Sequence, residues 1–83
     1  MKIHFELHGD CLRVQIRGRI EEAQCHCLEH FFARHVHDQQ VVEIDLREVE
    51  AIDEQGQRLL AELVDERRQQ GAEVTIIHPP RSG

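Results

Sequence analysis

The chain has 83 residues, of which 40% are apolar and 31% charged, and its ten basic and sixteen acidic residues give a net charge of −6. This composition is typical of one small globular domain spanning 1–83, and the negative charge argues against nucleic acid as a partner. No apolar run approaches the ~20 residues of a membrane-spanning helix, and three cysteines are too few for a secreted disulfide scaffold, so we expect a cytoplasmic protein without direct membrane insertion.

Two strands joined by a tight turn open the chain. Apolar and polar residues alternate over 3–7 and again over 12–16, and a period of two indicates strands. Gly9-Asp10 between the two runs suits a two-residue turn with glycine in the first position. In that register apolar residues face each other and Glu6 faces Arg13, which supports a β-hairpin.

A helix follows the hairpin. Gly18 interrupts the alternation, and apolar residues then recur at helical spacing from about Glu21 to His35. Acidic residues at positions 21 and 22 suit a first turn, where the helix dipole favours negative charge. The predicted apolar face consists of Ala23, Cys27, Leu28 and Phe31.

The second half of the chain predicts strand, helix and strand. Residues 41–46 are a compact run rich in β-branched side chains, which indicates a mostly buried strand. Asp53 is a good N-cap for a second helix, and Gly71 has the place and type of a C′ residue at its end. A last strand over 73–77 would be stopped by Pro79-Pro80. The apolar face of the second helix consists of Gly56, Leu59, Leu60, Leu63 and Val64.

The element order β-β-α-β-α-β predicts an α/β domain with a mixed four-stranded sheet and helices packed on one face. From position 41 onward the sequence resembles the STAS domain, named for sulphate transporters and anti-sigma factor antagonists. Family members usually continue past the last strand into a further helix, so the resemblance is to a minimal form. The matching positions are Gly18, Asp45-Leu46, Asp53-Glu54-Gln55-Gly56, Leu59-Leu60, Gly71 and Pro79.

The helix start at Asp53-Glu54-Gln55-Gly56 occupies the place of the family's Asp-Ser-Ser/Thr-Gly motif. In anti-sigma factor antagonists that resemble this chain, the serine after the aspartate is phosphorylated by a partner kinase, which releases the bound partner. Here that position is Glu54, whose carboxylate carries about one negative charge where phosphoserine carries about 1.5 to 2. Two interpretations stay open: an ordinary first-turn acid, or a permanent charge recognised by a partner.

We expect a partner to bind at Asp53, Glu54, Gln55, Gly56 and Arg58. The resemblance implies an anti-sigma kinase-like protein or, as an alternative, the ATPase of a lipid-transport ABC complex, in which STAS-like subunits also occur. Asp53 also has a structural interpretation as N-cap, and Gly56 either permits a close backbone approach or is simply tolerated near a helix start. Pairing of the chain with itself is a further expectation.

No set of catalytic residues stands out, so we predict a binding module that is not an enzyme and has no cofactor. Asp45 at the end of a strand could suggest a phosphoacceptor, but such sites need a lysine and the only one is Lys2. Asp45 is better interpreted as structural. Nucleotide binding, associated with some STAS domains, lacks a phosphate loop here.

The segment 25–37 is rich in histidine and cysteine. His26 and His30 are spaced i,i+4 and could share a metal ion on a helix, yet Cys25 and Cys27 form Cys-x-Cys where zinc sites usually have Cys-x₂-Cys. We therefore predict no metal site, with metal binding by this segment as the less favoured alternative. Cys27 is interpreted as a small apolar residue on the helix's buried face.

Overall fold

The computed structural model describes residues 1–78, and the predicted stop at Pro79-Pro80 lies outside them. The four strands form one mixed sheet in the spatial order β1-β2-β3-β4, with the first pair antiparallel and the other two pairs parallel. This confirms the predicted α/β order. The elements are β1 Lys2–His8, β2 Cys11–Ile20, α1 Glu22–Phe31, a π-helical turn Phe32–Val36, β3 Val41–Ile52, α2 Glu54–Gln69 and β4 Glu73–Ile77.

The hairpin has the predicted register. Phe5 is opposite Val14 and Glu6 opposite Arg13 across β1 and β2. Gly9 has φ +60 at the turn, a left-handed backbone that glycine adopts without steric cost. Complementary side chains and the turn residue therefore specify the same pairing.

Strand β2 continues past Gly18, where the sequence predicts a break. Gly18 has φ +90, and the pairing with β3 shifts register between Gln15 and Arg17 and again between Gly18 and Arg19. Such bulges place an extra residue in one strand and often use glycine. The prediction that Gly18 ends the strand is wrong, because a bulge interrupts the alternation of side chains without ending the pairing.

Strand β3 is also longer than predicted, since it extends from Val41 to Ile52 and not only over 41–46. Its second half pairs with the end of β2, where Glu48 lies beside Arg17 and Ile52 beside Ile20. Most side chains of 47–51 are exposed or half-buried. The predicted strand over 41–46 is therefore too short; the sequence did not indicate its second half because residues 47–51 lack the apolar pattern of a buried strand.

The first helix begins and ends close to the predicted positions, but its buried face differs. Ala23 and Cys27 are exposed, so their assignment to the apolar face is wrong. The last part has π-type hydrogen bonding, in which the His37 N–H donates to the carbonyl of Phe32 over 3.0 Å. The helix contacts the sheet mainly through its second half, where the buried residues are Leu28, Phe31, Phe32 and Val36.

Both helices cover one face of the sheet and contact each other. The core between them contains alternate residues of the central strands, such as Val14 and Ile16 on β2 and Val42 and Ile44 on β3, all fully buried. The opposite face of the sheet is polar and carries ion pairs between neighbouring side chains, including Arg13 with Glu43 at 3.0 Å and Arg47 with Asp45 at 2.9 Å. Within residues 1–78, no helix is both long and apolar enough to cross a membrane.

Candidate functional site

Asp53 connects β3 to α2 and caps two helices at once. Its Oδ1 accepts a hydrogen bond from the Gly56 N–H at 2.7 Å, which confirms the predicted N-cap of α2. Its Oδ2 accepts a second hydrogen bond, at 3.0 Å, from the N–H of Glu22 in the first turn of α1. The Asp53 N–H in turn donates to the carbonyl of Ile20 at 3.1 Å. The Asp53 side chain therefore joins the two helix starts, and its backbone N–H joins them to the end of β2.

The start of α1 has an additional cap of its own. The N–H of Glu21 donates to Oε1 of Gln24 at 3.0 Å, which is half of a capping box. Arg19 donates to the Glu21 carboxylate from both Nε and Nη2, each at 3.2 Å. We call residues 21–22 and 53–58, where the two helices begin side by side, the paired helix start.

Gly56 permits a close approach between α2 and β2. It is buried, and a Cβ atom there would come closer to the carbonyl oxygen of Ile20 than van der Waals contact allows, and within 3.0 Å of the Ile20 Cγ2. This confirms the close-approach interpretation of the glycine. Gly56 is therefore a residue that positions the paired helix start, and it presents no surface of its own.

Glu54, Gln55 and Arg58 point outward from the same turn. The side chain of Glu54 is 85% exposed and that of Arg58 is 69% exposed. The predicted i,i+4 pair exists, with Arg58 Nη2 at 3.3 Å from Glu54 Oε1. Exposed pairs of this kind contribute only about 0.3–0.5 kcal/mol, so the fold depends little on either side chain. The motif thus divides into Asp53 and Gly56, which serve the fold, and Glu54 and Gln55, which face solvent.

An apolar groove of about 560 Å³ lies beside the paired helix start, between α2 and the ends of β3 and β4. Val49, Ile52, Leu60 and Ile76 line it, and Gln57 of α2 lies at its border with the motif. Sequence reasoning missed the groove because it ended β3 at Leu46. Its only signal in the sequence is the pair of apolar residues Val49 and Ile52, three positions apart in a charged stretch.

The histidine-rich segment lines a cleft of about 640 Å³ between α1 and α2, which includes His26, His30 and His37 together with Glu29 and Glu66. In the part of the chain that the structure describes, no three His, Cys, Asp or Glu side chains are arranged to hold a metal ion. The metal-binding alternative therefore gains no support from the geometry.

The cysteines of the same segment differ in their surroundings. Cys27 is exposed, and Cys25 is half-buried with its Sγ 3.6 Å from the carbonyl oxygen of Glu21. Burial raises the pKa of the Cys25 thiol, and the nearby carboxylates of Asp53 and Glu22 raise it further. This raised pKa disfavours the thiolate, the nucleophilic form of cysteine, at Cys25 next to the paired helix start.

Comparison with known proteins agrees with the fold. A family model described as "Mlab, STAS domain" matches residues 3–82. The STAS domain of an antisigma-factor antagonist from Rhodobacter sphaeroides is 25% identical with a TM-score of 0.73, over 92% of this chain and 84% of that one. The unphosphorylated anti-sigma factor antagonist SpoIIAA has a TM-score of 0.76 at 8% identity, over 96% of this chain and 76% of that one.

A part of a larger protein has the same fold. The structure of Mglu matches with a TM-score of 0.85 and 26% identity over 94% of this chain. The chain spans only 20% of the length of Mglu. A search of the curated proteins finds no match.

Proposed function

Because the chain belongs to the STAS domain family, we propose that it is a non-enzymatic regulatory module that binds a protein partner through the paired helix start. The observation that carries the proposal is the exposure of Glu54 at the family's phosphorylation position: its side chain is 85% exposed. The backbone beneath it is held by Asp53 and Gly56. An exposed side chain on a rigid turn suits recognition by another protein.

The charged residues of the paired helix start indicate what kind of surface a partner must have. Glu22, Asp53 and Glu54 place carboxylates at the paired helix start, and exposed acids there would attract a basic surface. The guanidinium of Arg58 lies 3.3 Å from Glu54. It would bind a carboxylate on the partner as a second point of contact. Since Glu54 replaces the phosphorylatable serine, its charge is permanent, and we propose that binding is constitutive and not switched by a kinase at this position.

The first candidate partner is an anti-sigma kinase-like protein in the bacterial cytoplasm. The structural similarity to anti-sigma factor antagonists supports it, since three of the matched structures carry that description. In this role the chain would act as an antagonist that binds its kinase without being released by phosphorylation.

The second candidate partner is the ATPase of a lipid-transport ABC complex. The family model that matches is named for Mlab and not for an anti-sigma factor antagonist. The apolar groove beside Gln57 supports a stable accessory subunit, because the centres of lasting interfaces are apolar and their rims are polar.

Affinity capture from the bacterium that encodes the chain, followed by quantitative mass spectrometry, tests the docking surface. Glu54→Arg and Arg58→Glu reverse the two exposed charges, and Glu66→Arg is a matched control at an exposed position three turns along α2. Gly56→Arg is unsuitable because it would disrupt packing against Ile20. We expect recovery of the partner to fall with the first two variants and to persist with the control.

Equal recovery of the partner with all three variants would refute the docking surface. The captured protein also decides between the two candidates, since an anti-sigma kinase-like protein supports the first and a transporter ATPase the second. For the first candidate, Glu54→Ser should create a phosphorylation site for the captured kinase, detectable as an added phosphate at position 54.

A further inference from the structure

Within residues 1–78, strand β1 pairs only with β2 and forms an edge of the sheet. Two large apolar side chains on this strand are exposed: Phe5 is 41% exposed and Leu7 is 61% exposed. Phe5 contacts the rings of Phe31 and His35, with centroids 5.2 and 4.5 Å apart. An edge strand with exposed apolar residues is a template for pairing with another chain.

The register of the hairpin determines which backbone groups of β1 are at the free edge. In a two-residue hairpin the pair that flanks the turn, here His8 and Cys11, exchanges hydrogen bonds, and such pairs then alternate along the strands. The even-numbered residues of β1 therefore direct their N–H and C=O groups towards β2. The free edge presents the N–H and C=O groups of Ile3, Phe5 and Leu7.

We propose that two copies of this chain pair through antiparallel β1 strands, with the twofold axis at Phe5, to form one continuous eight-stranded sheet. In this register Phe5 faces the second copy's Phe5 and Ile3 faces the second copy's Leu7. Each of the three outward N–H groups of a strand then finds a carbonyl on the other strand. Six backbone hydrogen bonds result, three donated by each copy.

The polar face of β1 is self-complementary in the same register. His4 faces the second copy's Glu6, and by symmetry Glu6 faces the second copy's His4, so an acid meets a base twice. A twofold axis at Glu6 would place two carboxylates opposite each other, and an axis at His4 would leave the Phe5–Phe5 contact unmade. The axis at Phe5 also brings all seven residues of the strand into contact, which no other register does.

The side chains of β1 favour a second copy of this chain as the partner at the free edge. A twofold interface requires the same surface to complement itself, and residues 3–7 do so in both their apolar and their charged positions. The exposed part of Phe5 would be covered by the second copy's Phe5, and that of Leu7 by its Ile3. None of these residues belongs to the paired helix start, so the inference is independent of the proposed function.

Light scattering coupled to size exclusion chromatography tests the pairing over a wide range of protein concentration. One chain has a mass of 9.7 kDa, so we expect twice that value at high concentration. His4→Glu places two carboxylates opposite each other, and Glu6→Arg places two basic side chains opposite each other. Each single variant changes two symmetry-related contacts, and the dissociation constant should rise about tenfold.

The double variant His4→Glu with Glu6→Arg restores an acid opposite a base and should recover the affinity of the original dimer. Both side chains are exposed, 71% and 57%, so neither single variant should unfold the monomer, and circular dichroism checks that. Leu7→Pro removes an N–H group that β2 does not use, and should abolish the dimer. A mass of one chain at every concentration would overturn the proposal, and so would a dimer that none of these variants weakens.

Discussion

The Oδ2 atom of Asp53 lies 3.0 Å from the backbone nitrogen of Glu22 and accepts its hydrogen, so the residue that opens α2 also caps α1, 31 positions earlier in the chain. Losing an N-cap costs about 1 kcal/mol. Asp53→Ala removes two caps at once, and we expect it to lower the free energy of unfolding by about 2 kcal/mol in urea titrations.

Hydrogen exchange distinguishes this double cap from an ordinary one. In Asp53→Ala the amide protons of both Glu22 and Gly56 should exchange faster. In Asp53→Asn, which keeps one acceptor oxygen, only one of the two should do so. Protection of the Glu22 amide that survives Asp53→Ala would contradict the shared cap.

Gly56→Ala should destabilise the fold although alanine favours helices. The gain in helix propensity is about 1 kcal/mol. The new methyl group would collide with the carbonyl oxygen of Ile20, and forcing extra atoms into a packed core costs about 1–3 kcal/mol. The difference between the two gives an expected net loss of up to about 2 kcal/mol in unfolding free energy. Gln55→Ala, on the exposed side of the same turn, serves as control and should change stability by less than about 0.5 kcal/mol.

Asp45 makes the stability sensitive to acid. Hydrogen bonds from the Arg47 side chain lower the pKa of this buried carboxyl below its ordinary value of 3.8. Because the pKa of Asp45 is lower in the folded state than in the unfolded state, the ionised carboxylate stabilises the fold. This contribution is complete above pH 3.8. It disappears as the pH falls through the lower pKa of the folded state.

The variant Asp45→Asn isolates this contribution. At neutral pH it should reduce the free energy of unfolding by about 2 kcal/mol, since a hydrogen bond to a charged group is lost. Unfolding curves of the two proteins should converge as the pH falls below 3.8. A constant difference down to the lowest pH would show that Asp45 acts through packing and not through its charge.

Cys25 and Cys27 should react with alkylating agents at different rates. Cys27 is exposed, whereas burial and neighbouring carboxylates raise the pKa of Cys25. Since the thiolate is the reactive form, a limiting amount of iodoacetamide should modify Cys27 well before Cys25, as peptide mass spectrometry can show. Faster labelling of Cys25 would contradict its placement against the start of α1. Unfolding in urea should make the two rates similar.

Features that depend on neighbouring residues could be predicted from the sequence. The hairpin register follows from the pairing of Glu6 with Arg13 around a glycine turn. The end of α2 follows from Gly71, which has φ +92 and donates to the Arg68 carbonyl at 3.0 Å. Strand β4 has the predicted bounds. In each case the signal and the structure lie within a few residues of each other.

Features that depend on distant parts of the chain could not be predicted. The contact of Asp53 with Glu22 requires two parallel strands to end side by side. Arg67, near the end of α2, is only 9% exposed, and its guanidinium donates to the carbonyl of Gln39 at 2.7 Å. The candidate site was located from the motif, but its division into internal and outward residues required the packing of α2 on β2.

The shared cap has a consequence for the thermodynamics of recognition. A partner that binds Glu54 and Gln55 meets a backbone already held in place, because N–H groups of two helices donate hydrogen bonds to the Asp53 carboxylate. Little conformational entropy remains to be lost on this side of the complex, apart from that of the exposed side chains themselves. Asp53→Asn should loosen this turn while the contact residues stay unchanged. Binding of the partner should therefore become weaker through a larger loss of entropy. Calorimetry would record a more unfavourable binding entropy at a similar binding enthalpy.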